Sequence, residues 1–181
     1  MTRSTRNTRE TWVELIEKEV LGKKYSVLTK VAWAMFIVMV PVGVVTVWLD
    51  LLLLPIAWSA SWLICIVLLA TGIYIFALSK REFDRSGQSF APKAYGTSKL
   101  MTSGIYSSIR HPHALSSVLL NLGIAFVFKS TIGLLVALAS IIVTYWFTLE
   151  EEKLLIQQFG DEYREYKTRV PMFIPQLRRR V

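Results

Sequence analysis

Arg110 and His111, followed by Pro112, stand just ahead of a long apolar stretch, and Glu150, Glu151 and Glu152 stand just after it. Imidazole and carboxylate side chains move protons, and with guanidinium they make charge-assisted hydrogen bonds. The stretch between them, His113 to Leu149, has one basic break, at Lys129. Two helices joined by a tight turn at Lys129-Ser130-Thr131 would return the chain to the side it left. Arg110-His111 and the glutamates would then face each other at one membrane surface. Further polar residues flank both groups. Thr102-Ser103-Gly104-Ile105-Tyr106-Ser107-Ser108-Ile109 leads into Arg110. Phe159-Gly160-Asp161-Glu162-Tyr163, Tyr166 and Arg169-Val170-Pro171 follow the glutamates. Arg-His-Pro alone is a short tripeptide whose proline suits a helix start. A run of glutamates alone is usually a solvated helix face. Their occurrence in this order around a spanning hairpin points to a site.

The elements that must position these groups are apolar. Of 181 residues, 53% are hydrophobic, and the mean hydropathy is +0.43. Runs this long place a one-domain chain in the membrane class. The net charge of +8 would suit nucleic acid, but the basic residues cluster beside the apolar runs. That arrangement excludes a nucleic-acid partner and fits cytoplasmic flanks touching anionic lipid. The single cysteine, Cys65, lies inside an apolar run and reads as a packing residue.

The expected fold is an all-α integral membrane domain, 1–181, with four transmembrane helices, an N-terminal amphipathic helix and a C-terminal cytoplasmic helix. Residues 1–25 carry the first helix, Asn7 to Leu21, with Trp12, Leu15, Ile16 and Val20 at helical spacing. No cleavable signal peptide is expected, because polar residues precede the first apolar run. Residues 26–78 hold two spans, Val27–Leu49, with Pro41 as a kink, and Leu51–Leu78. Ala57, Ser61 and Cys65 form a small-residue stripe for close helix approach. Residues 79–112 read as a cytoplasmic loop carrying the Arg-His-Pro motif. Residues 113–148 form the two-span hairpin, Leu115–Phe128 and Ile132–Phe147. Gly133 and Ala137 give it a second small stripe, and Asn121 reads as interhelical glue. Residues 149–181 form the cytoplasmic helix and tail, with a helix end at Gly160 and a lipid-binding Arg178–Arg180. Of 21 basic residues, 20 fall on one side of this scheme. The positive-inside rule then places both termini in the cytoplasm.

At these motifs the chain resembles the isoprenylcysteine carboxyl methyltransferase family and the wider group of integral membrane methyltransferases that includes phospholipid methyltransferases. The resemblance covers roughly Phe90 to Pro175 and is densest at Leu100 to Tyr106 and Phe159 to Pro171. It implies S-adenosylmethionine as methyl donor, bound on the cytoplasmic side by Gly104, Ile105, Tyr106, Arg110, His111, Pro112, Glu151 and Glu152. It implies a lipophilic acceptor reaching the site from the bilayer, with Arg169 and His111 as catalytic residues. Arg169 would clamp an acceptor carboxylate or phosphate; as a plain juxtamembrane arginine it would contact lipid. His111 or a glutamate would serve as base if the acceptor were an amine or hydroxyl. The acceptor class stays open among carboxylate, amine and thiol. In a prokaryote the expected location is the cell membrane, in a eukaryote the endoplasmic reticulum. The family usually reads Arg-His-Pro-x-Tyr-x-Gly, whereas this chain has Ala114 and Ser116 at the last two of those positions. His113, next door, is a candidate substitute for the lost tyrosine.

Two other readings share some of these residues. A sterol-type membrane reductase carries a similar Arg-His-Pro loop and would use a reduced nicotinamide nucleotide. It would not be expected to carry the Glu-Glu-x2-Leu-x3-Phe-Gly block. A four-span scaffold or transporter needs no convergence of the two motifs, and a transporter should place ionisable groups within its spans.

Overall fold

The structure, a computed structural model, describes residues 40–48, 54–86 and 99–175, with Lys30, Ala34, Ile37 and Val38 as isolated positions. The expected amphipathic helix at Asn7–Leu21 and the Arg178–Arg180 tail lie outside the described residues, as does most of the first expected span. Among the described residues the architecture is all-helical. Residues 40–48 form α1. The long α2, Trp58–Ser86, follows, and a single 3-10 turn spans Gly104–Ser107. Then come α3, Pro112–Val127, α4, Thr131–Phe159, and α5, Asp161–Arg169.

Two of these helices, α2 and α4, are long and apolar enough to cross a membrane. Only 17% and 28% of their most apolar windows are buried. A core helix of a water-soluble protein would be covered; here Leu63, Ile66, Val67, Ile73 and Leu135, Ile142, Trp146 lie open. Such a surface belongs in hydrocarbon. The third expected span is the shorter apolar helix α3, of 16 residues.

Two boundaries differ from the sequence reading. Within the expected span from Leu51, the described residues 54–57 are not helical, and α2 starts at Trp58. Pro55 lacks an N–H and disfavours helix at the residue before it. At the other end α2 runs eight residues past Leu78 to Ser86, through Lys80, Arg81, Glu82, Asp84 and Arg85. These residues were expected in a loop, yet charged straight-chain side chains are good helix formers once the helix has left lipid.

Antiparallel contacts of small residues bind α2 to α3. Ser61 Oγ donates to the Phe126 carbonyl at 2.6 Å. A Cβ on Gly123 would meet Leu69 Cδ2 at 2.6 Å, and one on Gly72 would meet Leu120 at 3.1 Å. Cys65 is buried in this seam, as expected of a packing residue. Ala57 is exposed; the buried stripe on α2 is Ser61, Cys65, Gly72, Ser79 and Glu82.

The hairpin turns at Lys129, whose φ is +50°. Ser130 caps α4 by accepting from the Gly133 N–H at 2.9 Å. Ala125 packs on Ala137, and Asn121 Nδ2 donates to Ser140 Oγ at 3.4 Å, the interhelical contact expected of it. Because α3 and α4 run antiparallel, the start of α3 and the last turns of α4 lie at the same end of the molecule.

Candidate active site

The loop before α3 is held from three sides. Tyr106, in the 3-10 turn, places its hydroxyl 2.7 Å from Ser79 Oγ of α2. Its carbonyl accepts from the Tyr166 hydroxyl of α5 at 2.6 Å. The backbone N–H groups of Arg110 and His111 donate to the carbonyls of Pro171 and Met172 at 2.9 and 3.2 Å. The segment after α5 therefore clasps the Arg-His-Pro loop directly. Pro112 takes the first position of α3, where its missing N–H costs nothing.

Gly104 is fixed by two demands. Its φ is +57°, and a Cβ there would meet Glu82 Cδ at 2.3 Å. Glu82, buried at the end of α2, accepts from Ser103 Oγ at 3.0 Å and pairs with Arg85 at 3.1 Å. It ties the turn to α2. At the other motif, α4 ends where expected, at Gly160 with φ +56°. α5 then folds back so that Tyr163, Tyr166 and Val170 pack with Leu100.

These supports converge on one buried charged cluster. Glu152 is 2% exposed and meets three cations. Arg110 Nη1 lies against its Oε1. His111 Nε2 is 3.4 Å from the same oxygen. Lys167 Nζ donates to Oε2 at 2.6 Å. The other imidazole nitrogen, Nδ1, lies 3.4 Å from Glu151 Oε2. Both nitrogens of His111 thus face carboxylates. Burial pulls its pKa down, but Glu151 and Glu152 outweigh burial and hold it above the usual histidine value. Both carboxylates thus favour the protonated imidazole, with each nitrogen placed to donate.

The structure brings Arg110, His111, Glu151 and Glu152 together, with Gly104, Ile105, Tyr106 and Pro112 in the loop that frames them. Arg169 is placed differently. Its side chain is 60% exposed at the end of α5, 3.5 Å from Glu165, and it is Lys167 that reaches Glu152. His113 stacks at a tilt on Phe76 of α2, centroids 5.6 Å apart. Ser116, fully buried, donates to the His113 carbonyl at 2.7 Å. Glu82 and Lys167 were not singled out from sequence. Lys167 lies one position after Tyr166 within a motif already noted, and Glu82 looked like one more charge in a polar stretch.

A cavity of about 230 Å³ opens beside the cluster, lined by Trp146, Leu149, Glu150, Lys153 and Ile156 together with Glu152 and Lys167. It joins an apolar wall to a charged floor.

A helical membrane protein with a buried carboxylate–imidazole–guanidinium cluster at one end of its hairpin is the class that fold and site define. The phospholipid methyltransferase family matches residues 60–162, and the chain belongs to that family. Among curated relatives, it is similar to the Protein-S-isoprenylcysteine O-methyltransferase of Homo sapiens, 32% identical over 148 residues, 74% of this chain and 50% of that protein. The Schizosaccharomyces pombe protein of the same name is 33% identical over 98 residues, 50% of this chain and 41% of the relative. The Mus musculus protein is 30% identical over 148 residues. The chain spans about half the length, or less, of these relatives.

Proposed function

We propose that the protein transfers a methyl group from S-adenosylmethionine to a lipophilic acceptor that approaches from the bilayer. The donor would bind on the cytoplasmic side. The observation that supports this most is the convergence of Arg110 and His111, ahead of α3, with Glu151 and Glu152, at the end of α4.

The cluster suits the donor's mixed charge. Glu151 is 23% exposed on its side chain and keeps acceptor capacity for an ammonium group or ribose hydroxyls. Gly104 and Ile105, on the open side of the turn, would supply backbone donors, and Tyr106 holds that turn in place from beneath. The donor supplies an electrophilic methyl on a sulfonium. The protein's part is to hold donor and acceptor in line and to keep water out. Glu152, gripped by Arg110, His111 and Lys167, gives that alignment a rigid base.

His111 acts in this reading as a charged donor that orients Glu151 and Glu152. With both nitrogens facing carboxylates at 3.4 Å, the imidazole is poorly placed to accept a proton from an acceptor, which favours an acceptor that is already anionic. A carboxylate, and to a lesser degree a thiolate, meets that condition near neutral pH; an amine or hydroxyl does not. The O-methyltransferase names of the relatives agree with a carboxylate acceptor. Arg169, exposed beside the clasping segment, would receive that acceptor after leaving Glu165.

Calorimetry on detergent-purified protein tests the donor. S-adenosylhomocysteine should bind, and Glu152→Gln should weaken it by about 1–3 kcal/mol, the cost of a lost buried polar contact. Binding of a reduced nicotinamide nucleotide in its place would sink the transfer reading in favour of reductase chemistry.

A further inference from the structure

The cavity of about 230 Å³ contains no residue of the Arg-His-Pro loop and meets the charged cluster only through Glu152 and Lys167. Trp146, Leu149 and Ile156 give it an apolar wall. That wall does not stop at the cavity. Leu135, Leu138 and Ile142 are exposed on α4, and with Trp146 they recur every three or four residues, so they share one face of the helix. The face leads from the cavity toward the middle of the expected span. Tryptophan is a side chain favoured where hydrocarbon gives way to headgroups, and Trp146 stands at that junction, between Ile142 and the charged residues that begin at Glu150.

The charged side of the cavity is built in two tiers. Lys153 Nζ donates to Glu150 Oε1 at 3.1 Å, and Lys167 Nζ donates to Glu152 Oε2 at 2.6 Å. Both carboxylates are buried, whereas the lysine side chains are 60% and 44% exposed. An ammonium has three N–H groups. Each lysine therefore spends one on a buried carboxylate and keeps others for the open side. Being held from below also limits the rotamer freedom that a ligand must remove, which lowers the cost of binding. Arg110 lies against the other oxygen of Glu152, so Lys167 is not the sole cation serving that carboxylate.

We propose that this cavity binds the phosphodiester of a phospholipid from the adjoining leaflet. Lys153 and Lys167 donate to its oxygens, and an acyl chain lies along α4 from Trp146 to Leu135. A phosphate is the anion that a bilayer supplies at this depth, and basic side chains beside a membrane helix attract it. The lipid approaches Glu152 from the Lys167 side, not from the side of Arg110 and His111, so it is a bound partner of the fold and not the methyl acceptor. The site stands whether or not the transfer reading does.

Native mass spectrometry on the detergent-purified full chain tests it with three probes: phosphatidylglycerol, a diacylglycerol of the same chains, and inorganic phosphate. The phospholipid should bind more tightly than either of the others, since the second lacks the anion and the third lacks the chain. Lys153→Gln should weaken the phospholipid about fivefold, the usual share of one lysine at a headgroup, and leave the diacylglycerol unchanged. Lys153→Arg should restore binding. Lys80→Gln, at an exposed lysine near the end of α2, should have no effect. Equal binding of phospholipid and diacylglycerol overturns the site, as does no loss in Lys153→Gln. A loss in Lys80→Gln as large as that in Lys153→Gln would mean diffuse surface charge and overturns it too. Inorganic phosphate bound as tightly as the lipid would overturn the lipid as occupant. A wild type that binds none of the three overturns the proposal. S-adenosylhomocysteine plays no part in these measurements, so their failure and that of the transfer reading are read separately.

Discussion

His111 carries a consequence that can be read with pH. Its proton is worth more in the folded protein than in the unfolded chain, where histidine titrates near about 6.5. The raised value is set by Glu151 and Glu152 against the opposing effect of burial. A group raised on folding stabilises fully below its unfolded pKa, and that stabilisation is lost as pH rises through the folded pKa. The thermal midpoint in detergent should therefore fall as pH is raised from about 6.5 into the alkaline range. His111→Gln should flatten that slope. A wild-type midpoint that rises over the same range would show that the imidazole is buried neutral. At this scale the sequence was informative about which residues matter and silent about how they pair. Arg110, His111, Glu151 and Glu152 stood out by type and placement. Lys167 did not, because its reach to Glu152 depends on the rotation of α5, which no local pattern encodes.

The two positive-φ glycines separate local backbone strain from site assembly. Gly160 has φ +56° and open space around its missing Cβ. Gly160→Ala should cost only backbone strain, about 1–3 kcal/mol. Gly104→Ala carries comparable strain and also drives a Cβ into the Glu82 carboxyl. It should cost more stability than Gly160→Ala and should also weaken S-adenosylhomocysteine binding, since the turn would leave Ser103 and Tyr106 misplaced. Equal losses in both variants, read by thermal unfolding and calorimetry together, would remove Glu82 as the tether of the loop. Element boundaries show what was legible. The end of α4 could be read from Gly160, and the start of α3 from Pro112. The start of α2 was misread because the apolar run Leu51–Leu54 outweighed Pro55. The end of α2 was misread because polarity was taken for loop, when five charged residues only mark where the helix leaves hydrocarbon. The true stripe on α2 mixes spacings of three, four and seven residues, so a search for strict four-residue repeats found only its first members.

For the whole molecule, length and charge set the position in a bilayer. The 29 residues of α4 extend about 44 Å at about 1.5 Å per residue, well beyond a hydrocarbon core of about 30 Å. With Lys129 at one boundary, Glu150 to Glu152 lie near the other, where charge can be hydrated or paired. Single cysteines placed at Lys129 and Lys153, in a Cys65→Ser background, should react with a membrane-impermeant maleimide from opposite faces, with Lys153 on the cytoplasmic face. Labelling of both from one face would mean that the hairpin does not cross. The clasp of Pro171 and Met172 on the backbone of Arg110 and His111 also sets an order of events during synthesis. A nascent polypeptide that has emerged only as far as Arg169 contains every described helix but not the two carbonyls that hold the loop in place. Closing of the loop therefore waits on Pro171 and Met172, which are synthesised after every described helix.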